Sequence, residues 1–243
     1  MKLIQLNTWN GRLERAITDF FKQEQADIIC TQEGISLDRS SGLFLNLELM
    51  QAAAGLSYKA FGPAFSFKYM SSVAHYGNAI LSRWPIQNSE VVFISMQYEP
   101  DYNHHKQQIA NMRNFVHAVI KVDGKTLNVL THHGYWIAEH KNGNSETLRQ
   151  MEQLGDYIDD LRGPIILTGD FNLAPHSQSI GLISQRLRNL SVEHHLKTTR
   201  TALTTKSEVC DYIFVNHAIE VKKFYASDEV VSDHKALILD FEV

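Results

Sequence analysis

The stretch PIILTGDFN, residues 164–172, decides the fold more than any other part of the chain. Its first five residues form a short, mainly apolar run that is typical of a buried strand, and Gly169-Asp170-Phe171-Asn172 follows directly. Polar side chains that follow a strand at the edge of a sheet are a common place for a site in α/β proteins. The stretch therefore predicts a strand whose end places Asp170 and Asn172 in a functional site at the edge of a sheet.

The same pattern recurs on both sides of this stretch. Apolar runs at residues 2–6, 27–30 and 126–130, and more weakly at Val209, precede the clusters Leu6-Asn7-Thr8-Trp9-Asn10, Thr31-Gln32-Glu33, Thr131-His132-His133 and Cys210-Asp211-Tyr212. A last cluster, Ser232-Asp233-His234, stands before a predicted strand at residues 236–243. The side chains are those of hard-metal ligands and general bases. The sequence thus indicates a site built from strand ends that lie far apart in the chain.

The remaining segments supply helices and turns. Apolar residues at helical spacing predict helices at residues 12–24, 43–54, 145–161 and 177–185, and residues 58–97 predict a series of strands and turns. Asp123-Gly124, between two strand-like runs, is a β-hairpin signal. The polar stretch 97–111, which contains His104 and His105, predicts a loop.

Length and composition predict one domain, residues 1–243, because no Pro/Gly/Ser-rich linker or composition break divides the chain. With only two cysteines, a disulfide framework is excluded. No apolar segment suggests a signal peptide or a membrane span, so we expect a soluble, cytoplasmic and monomeric protein. The net charge of −4 and the absence of a long basic run argue against a protein that wraps long duplex nucleic acid.

Taken in order, the clusters resemble those of the endonuclease/exonuclease/phosphatase superfamily, which has the deoxyribonuclease I-like fold. The stretch GNAILSRWP, residues 77–85, resembles a further strand of that family, which ends in Ser-Arg-x-Pro. Each motif alone is common by chance, but six in order at predicted strand ends specify the superfamily, though not one substrate. The resemblance implies an α/β (α+β) four-layer sandwich, with two mostly antiparallel β-sheets packed face to face and helices outside.

The resemblance also implies a metal and a nucleophile. Glu33, with Asn7 and Asp233, would hold Mg²⁺ or Mn²⁺, and Asp170 would orient or deprotonate the attacking water. Asn172 would donate to a phosphate oxygen, and alternation along an extended segment would place it on the same face as Asp170. An Asx-turn would explain one of the two residues but not both. Scattered histidines without paired spacing make zinc an unexpected metal.

The histidines complete the implied site. His234 would transfer a proton or stabilise the phosphate, with Asp211 orienting its ring. His132 matches the Thr-His position of the family and would donate to the phosphate, whereas His133 would face away unless a bulge exchanges the two.

Three further residues resemble family positions that support the site or contact the substrate, namely Asn78, Arg83 and Arg113. For Arg83, an ion pair at the surface or behind the site is expected as much as a role in supporting the site.

The predicted function is hydrolysis of a phosphoester by in-line attack of water, with divalent metal, and the sequence favours a phosphodiesterase or nuclease. The partner would be the phosphoester substrate, and nucleic acid is one form that this substrate could take. A lipid- or inositol-phosphate phosphoesterase, sphingomyelinase-like or a phosphatase, is the alternative within the superfamily. A non-catalytic binding scaffold that keeps the fold is a further alternative. The aromatic residues between positions 61 and 69 leave open either a half-buried strand or a surface that stacks on bases or lipid.

Overall fold

The computed structural model describes residues 1–37, 46–103 and 111–243. The strands are β1 (Lys2–Asn7), β2 (Ile28–Leu37), β3 (Tyr58–Tyr69), β4 (Ser72–Ser82), β5 (Ile86–Ser95), β6 (Arg113–Val122), β7 (Lys125–His133), β8 (Ile165–Asp170), β9 (Arg188–Asn189), β10 (Asp211–Val215), β11 (Glu220–Ala226) and β12 (Leu237–Glu242). The helices are α1 (Glu14–Glu24), α2 (Asn46–Ala54), α3 (Ser145–Asp159), α4 (Gln178–Ser184) and α5 (Leu190–Glu193).

The strands form two sheets of six strands each. The first sheet has the order β11-β12-β1-β2-β4-β3, and the second has the order β5-β6-β7-β8-β10-β9. Within the described residues, β1–β2 and β7–β8 are the parallel pairs, and the other pairs are antiparallel. The predicted pair of mostly antiparallel sheets is therefore confirmed.

The central strands are buried on both faces, which explains their nearly continuous apolar runs. In β1, Leu3 belongs to the core between the sheets, whereas Ile4 belongs to the core beneath α1 and α2. In the second sheet, Val129 faces the first sheet and Leu130 packs with residues of α3 and α4. Alternation along each strand thus fills three apolar layers at once and produces the predicted four-layer sandwich.

Local sequence signals mark the start of α3, the end of α1 and the turn between β6 and β7. Asn144 caps α3, because its side chain accepts a hydrogen bond from the Thr147 backbone N–H while the Thr147 hydroxyl receives one from Asn144. Gln25 ends α1 in the left-handed conformation, and Asp123-Gly124 turns β6 into β7 with positive φ at both residues.

Several boundaries differ from the sequence prediction. The predicted strand before Asp211 is wrong, because β10 begins at Asp211 and runs antiparallel to β8. The short elements β9 and α5, and the strand β11, were not predicted. Residues 43–45 of the predicted second helix, and residues 104–110 of the predicted loop with His104 and His105, lie outside the described residues. Cys30 and Cys210 are buried free thiols. No helix in the described part of the chain is both long and apolar enough to cross a membrane.

Candidate active site

The carboxyl ends of the two parallel strand pairs meet at one end of the sandwich. A cleft with a volume of about 820 Å³ opens there between the sheets. Its lining includes Glu33, His133, Asp170, Asp233 and His234, which come from four separate parts of the chain. The polar clusters that the sequence placed at strand ends therefore do converge.

Asn7 joins the two sheets at the floor of this cleft. Its amide nitrogen donates to Glu33 Oε1 at 3.2 Å in the first sheet and to Asp170 Oδ2 at 3.1 Å in the second. The amide oxygen accepts from the backbone N–H of Trp9 at 3.0 Å, which fixes the orientation of the amide. One buried side chain thus sets the relative position of two carboxylates from different sheets.

Glu33 reaches the cleft through an irregularity in its strand. The pairing of β2 with β4 shifts register between Thr31 and Gly34, and Glu33 adopts a left-handed conformation with φ of 60°. A bulge of this kind re-aims a side chain, here toward Asn7 and the cleft. Burial raises the pKa of Glu33, and the hydrogen bond from Asn7 opposes that effect. Burial outweighs the Asn7 hydrogen bond and the charges of His234 and Arg113, so the charged form of Glu33 is disfavoured.

Asp170 is the last residue of β8, and its pKa is shifted in the opposite direction from that of Glu33. Burial favours its neutral form, but the charges of His234, Arg200 and His133 outweigh burial and hold the pKa of Asp170 below its ordinary value. Its Oδ1 accepts a hydrogen bond from the backbone N–H of Asn172 at 2.9 Å. The group is thus an ionised carboxylate whose second oxygen points toward Asn7.

Asn172 lies beyond the strand, so the expected extended alternation with Asp170 is wrong. It adopts a left-handed conformation with φ of 56°, in a turn closed by the Asp170 side chain. Its side chain nevertheless lines the cleft, and its Oδ1 accepts from Lys141 Nζ at 3.0 Å. The Asx-turn and the shared cleft are therefore both present.

Asp211 and His234 form a buried pair. His234 Nδ1 lies 3.0 and 2.9 Å from the two carboxylate oxygens of Asp211. Thr199 and Gln5 donate to the same carboxylate at 2.6 and 3.2 Å. Burial lowers the pKa of His234, but Asp211 and Asp170 together raise it above its ordinary value. The ring is held in one orientation with Nε2 3.7 Å from Asp170 Oδ2.

The structure reverses the assignment of the two adjacent histidines. His133 pairs in register with Asp170, lines the cleft, and places Nε2 4.0 Å from Glu33 Oε1 and 3.9 Å from Asp170 Oδ2. His132 is fully buried on the other face of β7, where it packs edge-on against Phe171 and contacts the Asn114 carbonyl through Nδ1. Alternation was predicted correctly, but the face was not, and no bulge is involved.

The three supporting candidates lie in different places. Arg113 begins β6, is 6% exposed and lines the cleft. Asn78 is buried and donates to the backbone and side-chain oxygens of Asn114, so it ties β4 to β6 behind the cleft. Arg83 is not at the site: it follows β4 at the amino end of β2, where it pairs with Asp27 at 2.7 Å. Since β4 is antiparallel to β2, its end lies opposite to Glu33.

Sequence reasoning missed several residues that line or border the cleft. Arg200 is 5% exposed, and its guanidinium lies against His234 Nε2. An isolated bridge between Arg200 and His234 brings it there, a long-range contact with no local signature apart from the basic cluster 197–200. Other cleft residues that were given no role are Trp9, Arg12, Tyr76, Tyr102, Trp136 and Lys206, and Lys141 lies behind them. Phe65 and Phe67, from the aromatic stretch for which the sequence left two interpretations open, lie in β3 and also line the cleft.

Two groups of residues could hold a metal ion. Asp170, Asp211 and His234 offer ligand atoms within 4.8 Å of one another. However, the Asp211 oxygens are already occupied by His234, Thr199 and Gln5. Glu33, Asp170 and Asp233 instead present carboxylate oxygens to the cleft, where the Asn7 amide bonds one oxygen each of Glu33 and Asp170. These oxygen donors fit a hard divalent cation better.

Comparison with known proteins agrees with this fold. Residues 4–234 match the family described as the Endonuclease/Exonuclease/phosphatase family. Among solved structures, a Beutenbergia cavernae endonuclease/exonuclease/phosphatase is similar at a TM-score of 0.74 and 19% identity, over 100% of this chain and 71% of that chain. Mannosyl-6-phosphatase of Bacteroides thetaiotaomicron is similar at 0.72 and 20%, over 100% of both chains. Humanized TDP2 of D. rerio is similar at 0.71 and 15%, over 100% of this chain and 99% of that chain. At these identities, the similarities show a shared fold. No curated protein matches the chain.

Proposed function

The chain belongs to the Endonuclease/Exonuclease/phosphatase family, and on that premise we propose that it hydrolyses a phosphoester with the help of Mg²⁺ or Mn²⁺. The observation that carries the proposal is the Asn7 amide, which holds Glu33 and Asp170 together opposite the Asp211–His234 pair. A metal ligand, a base and an oriented imidazole in one cleft are the parts that hydrolysis by activated water requires.

Glu33 would hold the cation, with Asp233 as a further carboxylate of the cleft and with Asn7 fixing the position of Glu33 through its amide N–H. The cation would neutralise charge on the bound phosphate. Asp170 is ionised and faces the cleft, so it orients a water molecule in line with the scissile P–O bond and accepts its proton. The new bond joins the water oxygen to phosphorus, and the bond to the leaving oxygen breaks.

The remaining side chains act on the charge that develops. His234, held by Asp211, faces the phosphate through Nε2 and stabilises it or supplies a proton to the leaving oxygen. His133 takes the role that the sequence assigned to His132, because His133 is the one that lines the cleft. Asn172, steadied by Lys141, donates to a non-bridging oxygen.

The class of ester is the finer part of the proposal. The sequence favours a phosphodiesterase or nuclease, with a lipid- or inositol-phosphate phosphoesterase as the alternative. The similarity to a mannosyl-6-phosphatase adds small phosphorylated sugars to the candidates. We also propose a monomer that works in the cytoplasm. A substrate panel of abasic duplex, single-stranded RNA, inositol phosphates, sphingomyelin and a hexose 6-phosphate, assayed with Mg²⁺, separates these possibilities.

Metal removal tests the reaction class. Exhaustive EDTA treatment should abolish turnover of p-nitrophenyl phosphate esters, and added Mg²⁺ or Mn²⁺ should restore it. Mg²⁺ should also raise the melting temperature of the wild type, since a ligand at 100 times its Kd adds about 2.7 kcal/mol of stability. The shift should disappear in Glu33→Gln and persist in the matched surface variant Glu152→Gln. Full turnover after chelation would exclude the metal-dependent reaction, and no turnover of any ester under any metal would favour the binding scaffold.

A further inference from the structure

Two buried guanidinium groups approach the candidate active site from different sides. Arg113, from the first residue of β6, acts electrostatically on Glu33 and His133 and lies beside Tyr76. Arg200, from the segment before β10, lies against His234. Both line the cleft, and their exposed fractions are only 6% and 5%.

Neither guanidinium has a close carboxylate partner within the part of the chain that the structure describes. For Arg200 the nearest carboxylate oxygen belongs to Asp233, at 4.0 Å, and Arg113 has none within that distance. The Nε atoms of both are buried without a hydrogen-bond partner among the described residues. Buried charges are normally paired, because removing them from water is costly. Asp170 and Asp211 favour the charged form of Arg200, but neither carboxylate lies within 4.0 Å of its guanidinium among the described residues. Arg113, which has no close carboxylate partner, and Arg200, which has only the long contact with Asp233, therefore leave room for an anion in the cleft that both line.

We propose that Arg113 and Arg200 form a two-sided clamp for a terminal, dianionic phosphate, so that the substrate is a phosphomonoester of a small ring-bearing molecule. This inference rests on the proposed function and narrows it. A guanidinium presents planar N–H donors that match phosphate oxygens, and a rigid fork favours such contacts over a point charge.

The number of donors favours a monoester over a diester. A terminal phosphate has three non-bridging oxygens and two negative charges, whereas a diester has two such oxygens and one charge. The cleft offers two guanidinium forks in addition to His133, Asn172 and His234. A monoester offers this set of donors one more non-bridging oxygen than a diester does, and its two negative charges equal the two positive charges of the guanidiniums.

Aromatic side chains border the cleft and fit the ring of the leaving group. On one side Phe65 stacks on Tyr76 with ring centroids 4.5 Å apart, and Tyr102 lies 4.5 Å from the same Phe65 ring. Trp9 and Trp136 also line the cleft, with Arg12 over the first ring and Lys141 near the second. Aromatic faces stack on flat or apolar ring faces of ligands. The cleft volume of about 820 Å³ lies in the range of small-molecule sites.

The test compares p-nitrophenyl phosphate with bis-p-nitrophenyl phosphate, followed by a hexose 6-phosphate and a nucleoside 5′-monophosphate to distinguish the ring. Wild-type kcat/KM should be higher for the monoester. Arg113→Gln and Arg200→Gln should each lower monoester kcat/KM about 10- to 100-fold, as expected for a hydrogen bond to a charged group. The loss should be smaller for the diester. Arg113→Lys and Arg200→Lys should recover only part of the loss, and Arg83→Gln, which removes a surface arginine outside the cleft, should change neither value.

Binding of inorganic phosphate, measured by calorimetry, checks the clamp without turnover. The affinity should fall in each arginine variant whose melting temperature shows that it is folded, and it should be unchanged in Arg83→Gln. The clamp is overturned if the wild type prefers the diester and the arginine variants leave the ratio of the two kcat/KM values unchanged. Phosphoester hydrolysis would remain intact in that case. If neither ester is hydrolysed, the proposed function fails, and the phosphate titration alone decides whether the clamp exists.

Discussion

Single side chains between the two sheets decide how firmly the site is held. Gln5 donates to Gln32 at 3.0 Å and to Asp211 at 3.2 Å, and Gln32 donates to Thr131 at 2.8 Å. All of these groups are buried, so the hydrogen bonds operate at a low local dielectric and support one another. The Asp211–His234 pair is thus anchored from the opposite sheet as well as from its own.

Replacing either member of the proposed reacting pair should remove activity and spare the fold. Asp170→Asn loses the ionised base, and His234→Ala loses the imidazole that Asp211 orients, so each should lower kcat about 10²–10⁴-fold. Kinetics with Mg²⁺ and thermal unfolding measured on the same samples check this. Unchanged turnover in either variant, with the melting temperature preserved, would contradict the assigned role.

The adjacent histidines offer a matched comparison. His133→Ala should lower kcat about 10²–10³-fold, the usual cost of losing one donor to a developing oxyanion. His132→Ala should mainly lower the free energy of unfolding, by about 2–4 kcal/mol, because it leaves a cavity beside Phe171. Urea denaturation and kcat should therefore rank the two variants in opposite order. A larger rate loss in His132→Ala at equal stability would restore the original assignment.

The sequence could predict the residues whose place follows from a strand end, such as Asn7 and Asp170. Glu33 was also placed at a strand end, but β2 continues to Leu37, and a bulge turns its side chain toward the cleft. It could not predict which of His132 and His133 faces the cleft, because alternation gives the period of a strand but not its phase. The phase is set by the pairing of His133 with Asp170, a contact with another strand.

For the arginines the missing information is also long-range. Arg83 follows a strand that resembles a family motif, but the antiparallel direction of β4 carries it away from the site. Arg200 joins the site through its bridge to His234, 34 residues further along the chain. Neither the direction of β4 nor the bridge between Arg200 and His234 can be predicted from the local sequence around these residues.

At the scale of whole elements, the strands depend on close backbone approach as well as on apolar runs. A Cβ added to Gly77 in β4 would lie 2.1 Å from the Gly62 carbonyl oxygen in β3. Since both atoms belong to paired strands, neither can move without disturbing the first sheet. A glycine is required here by space rather than by backbone conformation.

Two glycine substitutions should therefore change stability in opposite directions. Gly77→Ala should lower the free energy of unfolding by about 3 kcal/mol, at the upper end of the cost of overpacking. Gly181→Ala, in α4, meets no atom within 4 Å and should raise it by about 0.5–1 kcal/mol, because alanine favours the helix. Denaturant unfolding of both variants checks the pair. A neutral Gly77→Ala would mean that the two strands are less tightly fixed than their packing implies.

Elements with strong local signals could be predicted, and elements without them could not. The capped helix α3 and the Asp123-Gly124 hairpin carry their own start, stop and turn residues. By contrast, β9 consists of two residues and α5 of four, too short for any period to show. These short elements exist because β10 and the adjacent loops bury Leu190 in the core, which is a tertiary effect.

On the scale of the whole molecule, charge limits how much of a polyanion the protein can hold. The chain has 27 acidic and 23 basic residues, and several surface cations are already paired, such as Arg186 with Asp159 and Arg188 with Glu193. The buried cations of the cleft, Arg113 and Arg200, are positioned for one phosphate group. The molecule therefore concentrates its phosphate recognition in one place instead of spreading it along a surface.

Nucleic acid should accordingly bind to this protein with only a gentle dependence on salt. For duplex DNA the slope of log affinity on log salt concentration is roughly −0.9 for each phosphate contacted, and we expect about two to four contacts. The measurement uses Asp170→Asn, which binds without cleaving, with duplexes of increasing length at several salt concentrations. Arg83→Gln in the same background serves as the control for a surface cation that is outside the cleft. The slope should stop growing once the duplex covers the cleft, because no further cations are aligned to meet additional phosphates. A slope that steepens steadily with length would instead reveal a basic track on the folded surface, and the substrate would then be sought among duplex nucleic acids rather than small phosphomonoesters.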